Sequence, residues 1–99
     1  MNNQNKNKKL ELKDIRKKID AVDAKIVASI AERVSYMPAV AKYKKENNLP
    51  IHQPDREKEI IQSRVDLAEK TGVSRDLIQK IFSLILENSR EIQEQESKK

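Results

Sequence analysis

Apolar residues stand at Leu12, Ile15, Ile19, Val22, Ile26 and Ile30, three or four apart, and the register resumes at Met37 and Val40. Side chains three and four apart share one face of a helix, so this stripe is the pattern of an amphipathic helix or a coiled-coil seam. It predicts one long helix from about Leu10 to Asn47. At ~1.5 Å per residue such a helix spans roughly 55 Å, whereas a compact globule of about 100 residues has a radius of gyration of only ~13 Å. The rest of a 99-residue chain is too short to cover the whole stripe. A second copy is therefore expected to cover it, in an intertwined homodimeric bundle. The alternative is a helical hairpin within one chain. An interior proline costs ~3 kcal/mol and removes the donor for the carbonyl four residues back, so a bend is expected at Pro38 in either arrangement.

Stop and start signals divide the remainder. Asn47-Asn48-Leu49-Pro50 ends the long helix, because Asn tolerates a left-handed cap and Pro cannot continue a helix. After a short loop at 50–53, Pro54 suits a first helical position, and Asp55 and Glu57 suit the positive end of the dipole. This second helix runs to about Lys70 and stops at Thr71-Gly72, the chain's only glycine. Ser74 is placed to cap a third helix with Asp76 in its first turn. The third helix carries a stripe of Ile78, Ile81, Phe82, Ile85, Ser89 and Ile92 that fades into the charged segment 94–99. The expected fold is all-α, with three helices per protomer, one long and two shorter. One glycine cannot supply the turns of a many-stranded β fold.

Composition excludes several chemistries. Without cysteine there are no disulfides, thiolate nucleophiles or cysteine-based metal sites. A lone histidine, His52, argues against an all-histidine metal site and against a Ser-His-Asp triad. No apolar run approaches the ~20 residues of a membrane span, and the polar N-terminus lacks the apolar core of a secretory signal. A cytoplasmic protein with no membrane partner is expected. The net charge of +5 is local. Residues 1–18 hold seven Lys and Arg against Glu11 and Asp14, and the remainder is neutral. Residues 1–9 read as a disordered basic tail and 10–95 as the helical domain. With Tyr36, Tyr43 and Phe82 as the only aromatics, no stacking platform for nucleic acid is apparent.

The informative positions are charges where apolar residues belong. Arg33 stands seven after Ile26, and Lys44 stands seven after Met37 and four after Val40, both inside the stripe; Arg16 sits at its flank. A buried unpaired cation is very costly. Taken singly, Lys44 could snorkel to water and Arg33 could pair with a carboxylate. Together, ~16 Å apart along one seam, they point to a shared polar pocket. Glu57 shares a face with Ile60, Ile61 and Ala68. Ser89 occupies an interior position four after Ile85, and Gln93 follows one turn later. With Arg16, Arg33, Lys44, Arg56, Glu57, Ser89 and Gln93, such a pocket suits a small hydroxylated dicarboxylate. It lacks a nucleophile–base pair, so catalysis would come from positioning and electrostatics.

The ordered blocks Leu12-Lys13-Asp14-Ile15-Arg16-Lys17-Lys18-Ile19-Asp20-Ala21-Val22-Asp23, Ala31-Glu32-Arg33 and Val40-Ala41-Lys42-Tyr43-Lys44 resemble the first helix of the all-helical chorismate mutases. Pro54-Asp55-Arg56-Glu57-Lys58 resembles that family's second-helix start, and Ile81 through Ser89 with Gln93 its third helix. The resemblance implies an entwined homodimer that rearranges chorismate to prephenate, in aromatic amino-acid biosynthesis, without cofactor or metal. By position it implies that Arg33 and Arg16, the latter from the partner chain, hold the two carboxylates. It implies that Lys44 and Gln93 donate to the ether oxygen, that Glu57 accepts from the ring hydroxyl, that Ser89 lies near the ring carboxylate, and that Arg56 supports the wall. Two features depart from the family pattern. Gln53 stands where many members have Asp, so it could contact the ring hydroxyl but supplies no charge. Pro38 falls between Arg33 and Lys44. Arg33-Val34-Ser35-Tyr36 also resembles the related isochorismate–pyruvate lyases. A third reading, from a different class, is a basic helical interaction module.

Overall fold

Pro38 has no amide hydrogen to offer the carbonyl of Val34, and the helical ladder breaks beside it. The computed structural model describes residues 11–99. In place of one long first helix it has α1 (Leu12–Ser35) and α2 (Met37–Glu46), separated by Tyr36 alone. Tyr36 keeps a helical backbone (φ −87°, ψ −12°), and its carbonyl accepts from Val40 N at 3.2 Å. The proline thus sits in the first turn of a new helix, where its missing donor costs little. The other elements are α3 (Pro54–Thr71) and α4 (Arg75–Ser97). Among the described residues every regular element is an α-helix. The basic tail expected at 1–9 lies outside the described residues.

The predicted stops are where the backbone turns. Asn48 adopts φ 56° at the end of α2. Gly72 closes α3 with φ 76°, its amide donating to Glu69 O and that of Val73 to Ala68 O. Ser74 Oγ accepts from Leu77 N at 3.1 Å and caps α4. One boundary differs: α4 does not fade at Glu94 but continues to Ser97. Lys45 on α2 donates to the carbonyl of Ser97 at 3.1 Å, and Lys99 pairs with Glu96 at 2.9 Å, which holds the last turn.

The chain forms two compact units, dividing between Arg33 and Val34. The first holds nearly all of α1. No α1 residue is buried, and Leu12, Ile15, Ile19, Val22, Ile26, Val27 and Ile30 remain 38–67% exposed. In the second unit, α2 and α3 both pack on α4. Its core consists of Met37 and Ala41 from α2, Ile60, Val65 and Ala68 from α3, and Leu86 from α4. At its edge the Arg64 guanidinium lies 5.7 Å from the centre of the Phe82 ring, a cation–π contact between α3 and α4. No described helix is long and apolar enough to cross a membrane.

Candidate active site

Lys44 lies three residues after Ala41 and seven after Met37, the two α2 side chains buried in the core. The helical repeat therefore aims Lys44 inward. The loop after Asn48 brings the carbonyl of Ile51 back to within 2.8 Å of Lys44 Nζ, which also donates to Gln93 Oε1 at 2.8 Å. Both acceptors are neutral, so the half-buried ammonium keeps its charge with incomplete compensation. Burial lowers the Lys44 pKa from the ordinary 10.5, and the negative charge of Glu57 opposes that shift. An ammonium has three donors, and these two bonds leave one for a ligand.

Gln93 and Ser89, one turn apart on α4, are polar residues inside the core at 5% exposure each. Because Gln93 Oε1 is taken by Lys44, its amide nitrogen is the group left to donate. That nitrogen sits 3.7 Å from Met37 Sδ, a weak acceptor that a better one would displace. Ser89 Oγ donates to Ile85 O at 2.9 Å.

Glu57 enters from the first turn of α3, with its amide bonded to Gln53 O at 3.0 Å. Its carboxylate accepts from Arg90 Nη1 at 2.5 Å, and the same oxygen lies 3.8 Å from His52 Nε2. Neither Arg90 nor His52 figured in the pocket read from the sequence. Arg90 was findable there: it stands four after Leu86 and three before Gln93, on the α4 stripe. The position of His52 depends on the loop path, which periodicity does not give.

The second unit thus brings together Lys44, Gln93 and Glu57, with Ser89 on the same buried α4 face. Gln53 is half-buried at the start of α3, and its side chain makes no cap. Arg56 turns away: it is exposed and pairs with Glu59 on its own helix at 3.3 Å. In the first unit Arg16 is exposed and Arg33 half-buried. Among the described residues no group of three or more His, Asp or Glu is placed to hold a metal ion.

Lys44 and the Gln93 amide thus stand near the Glu57 carboxylate that Arg90 anchors, a cation and a neutral donor close to an anion on three helices. The model of the family described as chorismate mutase type II matches residues 15–94. This chain belongs to that family. Among proteins similar to it is the chorismate mutase of Methanocaldococcus jannaschii, 39% identical over 85 residues that make up 86% of each chain. The T-protein of Haemophilus influenzae is 37% identical over 78 residues, covering 79% of this chain but 21% of that protein. The bifunctional chorismate mutase/prephenate dehydratase of Escherichia coli K12 is 32% identical over 75 residues, 76% of this chain and 19% of that one. This chain therefore spans about a fifth of the longer relatives and nearly all of the short chorismate mutase. Every α2, α3 and α4 residue named above as part of the site lies inside the matched region.

Proposed function

We propose that this chain is a chorismate mutase, converting chorismate to prephenate by an intramolecular Claisen rearrangement. The observation that carries the reading is the pairing of Lys44 Nζ with Gln93 Oε1 at 2.8 Å, beside the Glu57 carboxylate, in a member of the chorismate mutase type II family. In the rearrangement the ether C–O bond breaks as a C–C bond forms, and no proton or electron enters or leaves. The ether oxygen becomes more negative on the way. Lys44 and the Gln93 amide nitrogen supply two donors for that charge, already oriented and partly shielded from water, where such donors act most strongly. Glu57 accepts from the ring hydroxyl and orients the ring. Ser89 stands near the ring carboxylate. Gln53 is a neutral contact at the ring hydroxyl end, and Arg56, exposed and paired with Glu59, flanks the wall. Trapping the compact conformer supplies the remainder through positioning.

The two carboxylates of the substrate are assigned to Arg33 and to Arg16 of the partner subunit, since a guanidinium fork suits a carboxylate bidentately. The assignment requires a homodimer, and the exposed apolar side chains of α1 support one. Covering a half-exposed Ile or Leu contributes on the order of 1 kcal/mol, and α1 presents a whole stripe of them. Incubation of purified protein with chorismate, with no metal added, and separately with isochorismate, tests the function. Prephenate from chorismate is expected. Salicylate and pyruvate from isochorismate, with chorismate unchanged, would make the chain a lyase instead.

A further inference from the structure

Arg90 has the Glu57 carboxylate, a proposed substrate-binding group, as its partner. Its Nη1 meets Glu57 Oε1 across 33 residues of sequence, tying the last part of α4 to the first turn of α3. Both side chains are half-buried, at 29% and 21% exposure, so water screens the pair less than it would at the surface. The groups that face the Glu57 carboxylate are Arg90 from α4, His52 from the loop before α3, and Lys44 from α2. Of these, Arg90 alone makes a short hydrogen bond. His52 stays at 3.8 Å and is mostly exposed. Lys44 acts on Glu57 only through space, because its ammonium is held by Ile51 O and Gln93 Oε1.

This geometry solves a problem inherent in the site. A carboxylate and an ammonium placed close together in a partly desolvated pocket attract one another, and a contact pair would neutralise the charge that the ether oxygen needs. A carboxylate anchored elsewhere cannot collapse onto the ammonium. Arginine suits the anchor, since it stays charged at every working pH and its planar fork fixes direction. The contacts from Arg90 and His52 both fall on Glu57 Oε1, which leaves Oε2 to accept a hydroxyl.

We propose that Arg90 is a positioning residue: it holds Glu57 by Oε1, aims the second oxygen at the ring hydroxyl of the substrate, and keeps the carboxylate apart from Lys44. The proposal rests on the mutase reading, and the test separates the two. In Arg90→Gln, KM for chorismate rises about 10- to 100-fold, with a smaller fall in kcat. Arg90→Lys, which keeps a charge but not the fork, rises about 3- to 10-fold. Chorismate methylated on its ring hydroxyl cannot donate to Glu57, and for it the variants and wild type have equal KM. In the background of Glu57→Gln, Arg90→Gln adds little, because both changes remove one interaction. A merely structural role would lower the melting temperature and the active fraction without distinguishing the two substrates. Wild-type protein that leaves chorismate unchanged removes the mutase reading itself. Active wild type together with a folded Arg90→Gln of unchanged KM overturns this proposal alone. If Arg90→Gln does not fold, Arg90→Lys decides by the same comparison of substrates, and loss of fold in both makes the pair structural and overturns the proposal as well.

Discussion

Replacing Lys44 by alanine separates the catalytic from the structural demands on the site. The side chain makes two hydrogen bonds, to Ile51 O and Gln93 Oε1, each of 2.8 Å. A hydrogen bond contributes about 0.5–1.5 kcal/mol net to stability, and the half-buried position lets water refill the space. Removing the ammonium also relieves the desolvation that lowers its pKa. The fold should therefore lose on the order of 1–2 kcal/mol, a modest part of the ~5–15 kcal/mol that holds a domain together. The chemical step should lose much more. Deleting one preoriented donor to a developing oxyanion costs about 3–4 kcal/mol, or 10²- to 10³-fold in kcat. The charge on the ether oxygen grows on the way to the transition state, so kcat should fall and KM change less. Steady-state assay of chorismate disappearance, with circular dichroism as the control for folding, reads both quantities. A folded Lys44→Ala protein with kcat within threefold of wild type would refute the reasoning. So would a rise in KM alone, which would make Lys44 a ground-state contact.

Three further outcomes follow from the same geometry. Lys44 must be protonated to act and its pKa lies below the ordinary 10.5, so kcat/KM should fall as pH rises through that lowered value. In that range Lys44 is more protonated in the unfolded chain than in the native one, so its own contribution to stability rises with pH; the fall in activity should therefore be absent from Lys44→Ala, and an identical pH profile for that variant would contradict the assignment. Ser74→Ala removes the cap on Leu77 N and should cost ~1 kcal/mol in urea melts with turnover per folded molecule unchanged; a kcat that falls with the cap would tie the start of α4 to the chemistry. Ile19→Glu, on the exposed face of α1, should convert a dimer to a monomer in sedimentation equilibrium and abolish turnover, and unaltered mass and rate would remove α1 from the proposed interface.

What could be read from the chain alone was mostly local. Asn47-Asn48, Gly72 and Ser74 act on the backbone within a few residues, and each marks a helix end that the structure shares. Ser89 and Gln93 were legible as interior because the α4 stripe runs through them, and they are buried. The break at Tyr36 was less so. Periodicity crosses Pro38 without a slip, and only the missing amide of proline shows that two helices divide the stripe. The extension of α4 to Ser97 is joined by a bond from Lys45 on another helix, which no local pattern gives, although the Glu96–Lys99 pair is local. Partners are also tertiary. Arg56 is the exception, since its partner Glu59 is three residues on along the same helix and the pair is exposed. Arg90 sits on the buried stripe and could have been noticed, but its partner Glu57 is 33 residues away.

A crystal structure with a bicyclic transition-state analogue bound would test most directly whether the Lys44–Gln93 pair faces the reacting ether bond. The account predicts the analogue's ether oxygen within about 2.7–3.2 Å of both Lys44 Nζ and the Gln93 amide nitrogen, with its hydroxyl on Glu57. An analogue seated elsewhere, or with its ether oxygen against an apolar wall and Lys44 still bonded only to Ile51 and Gln93, would contradict it.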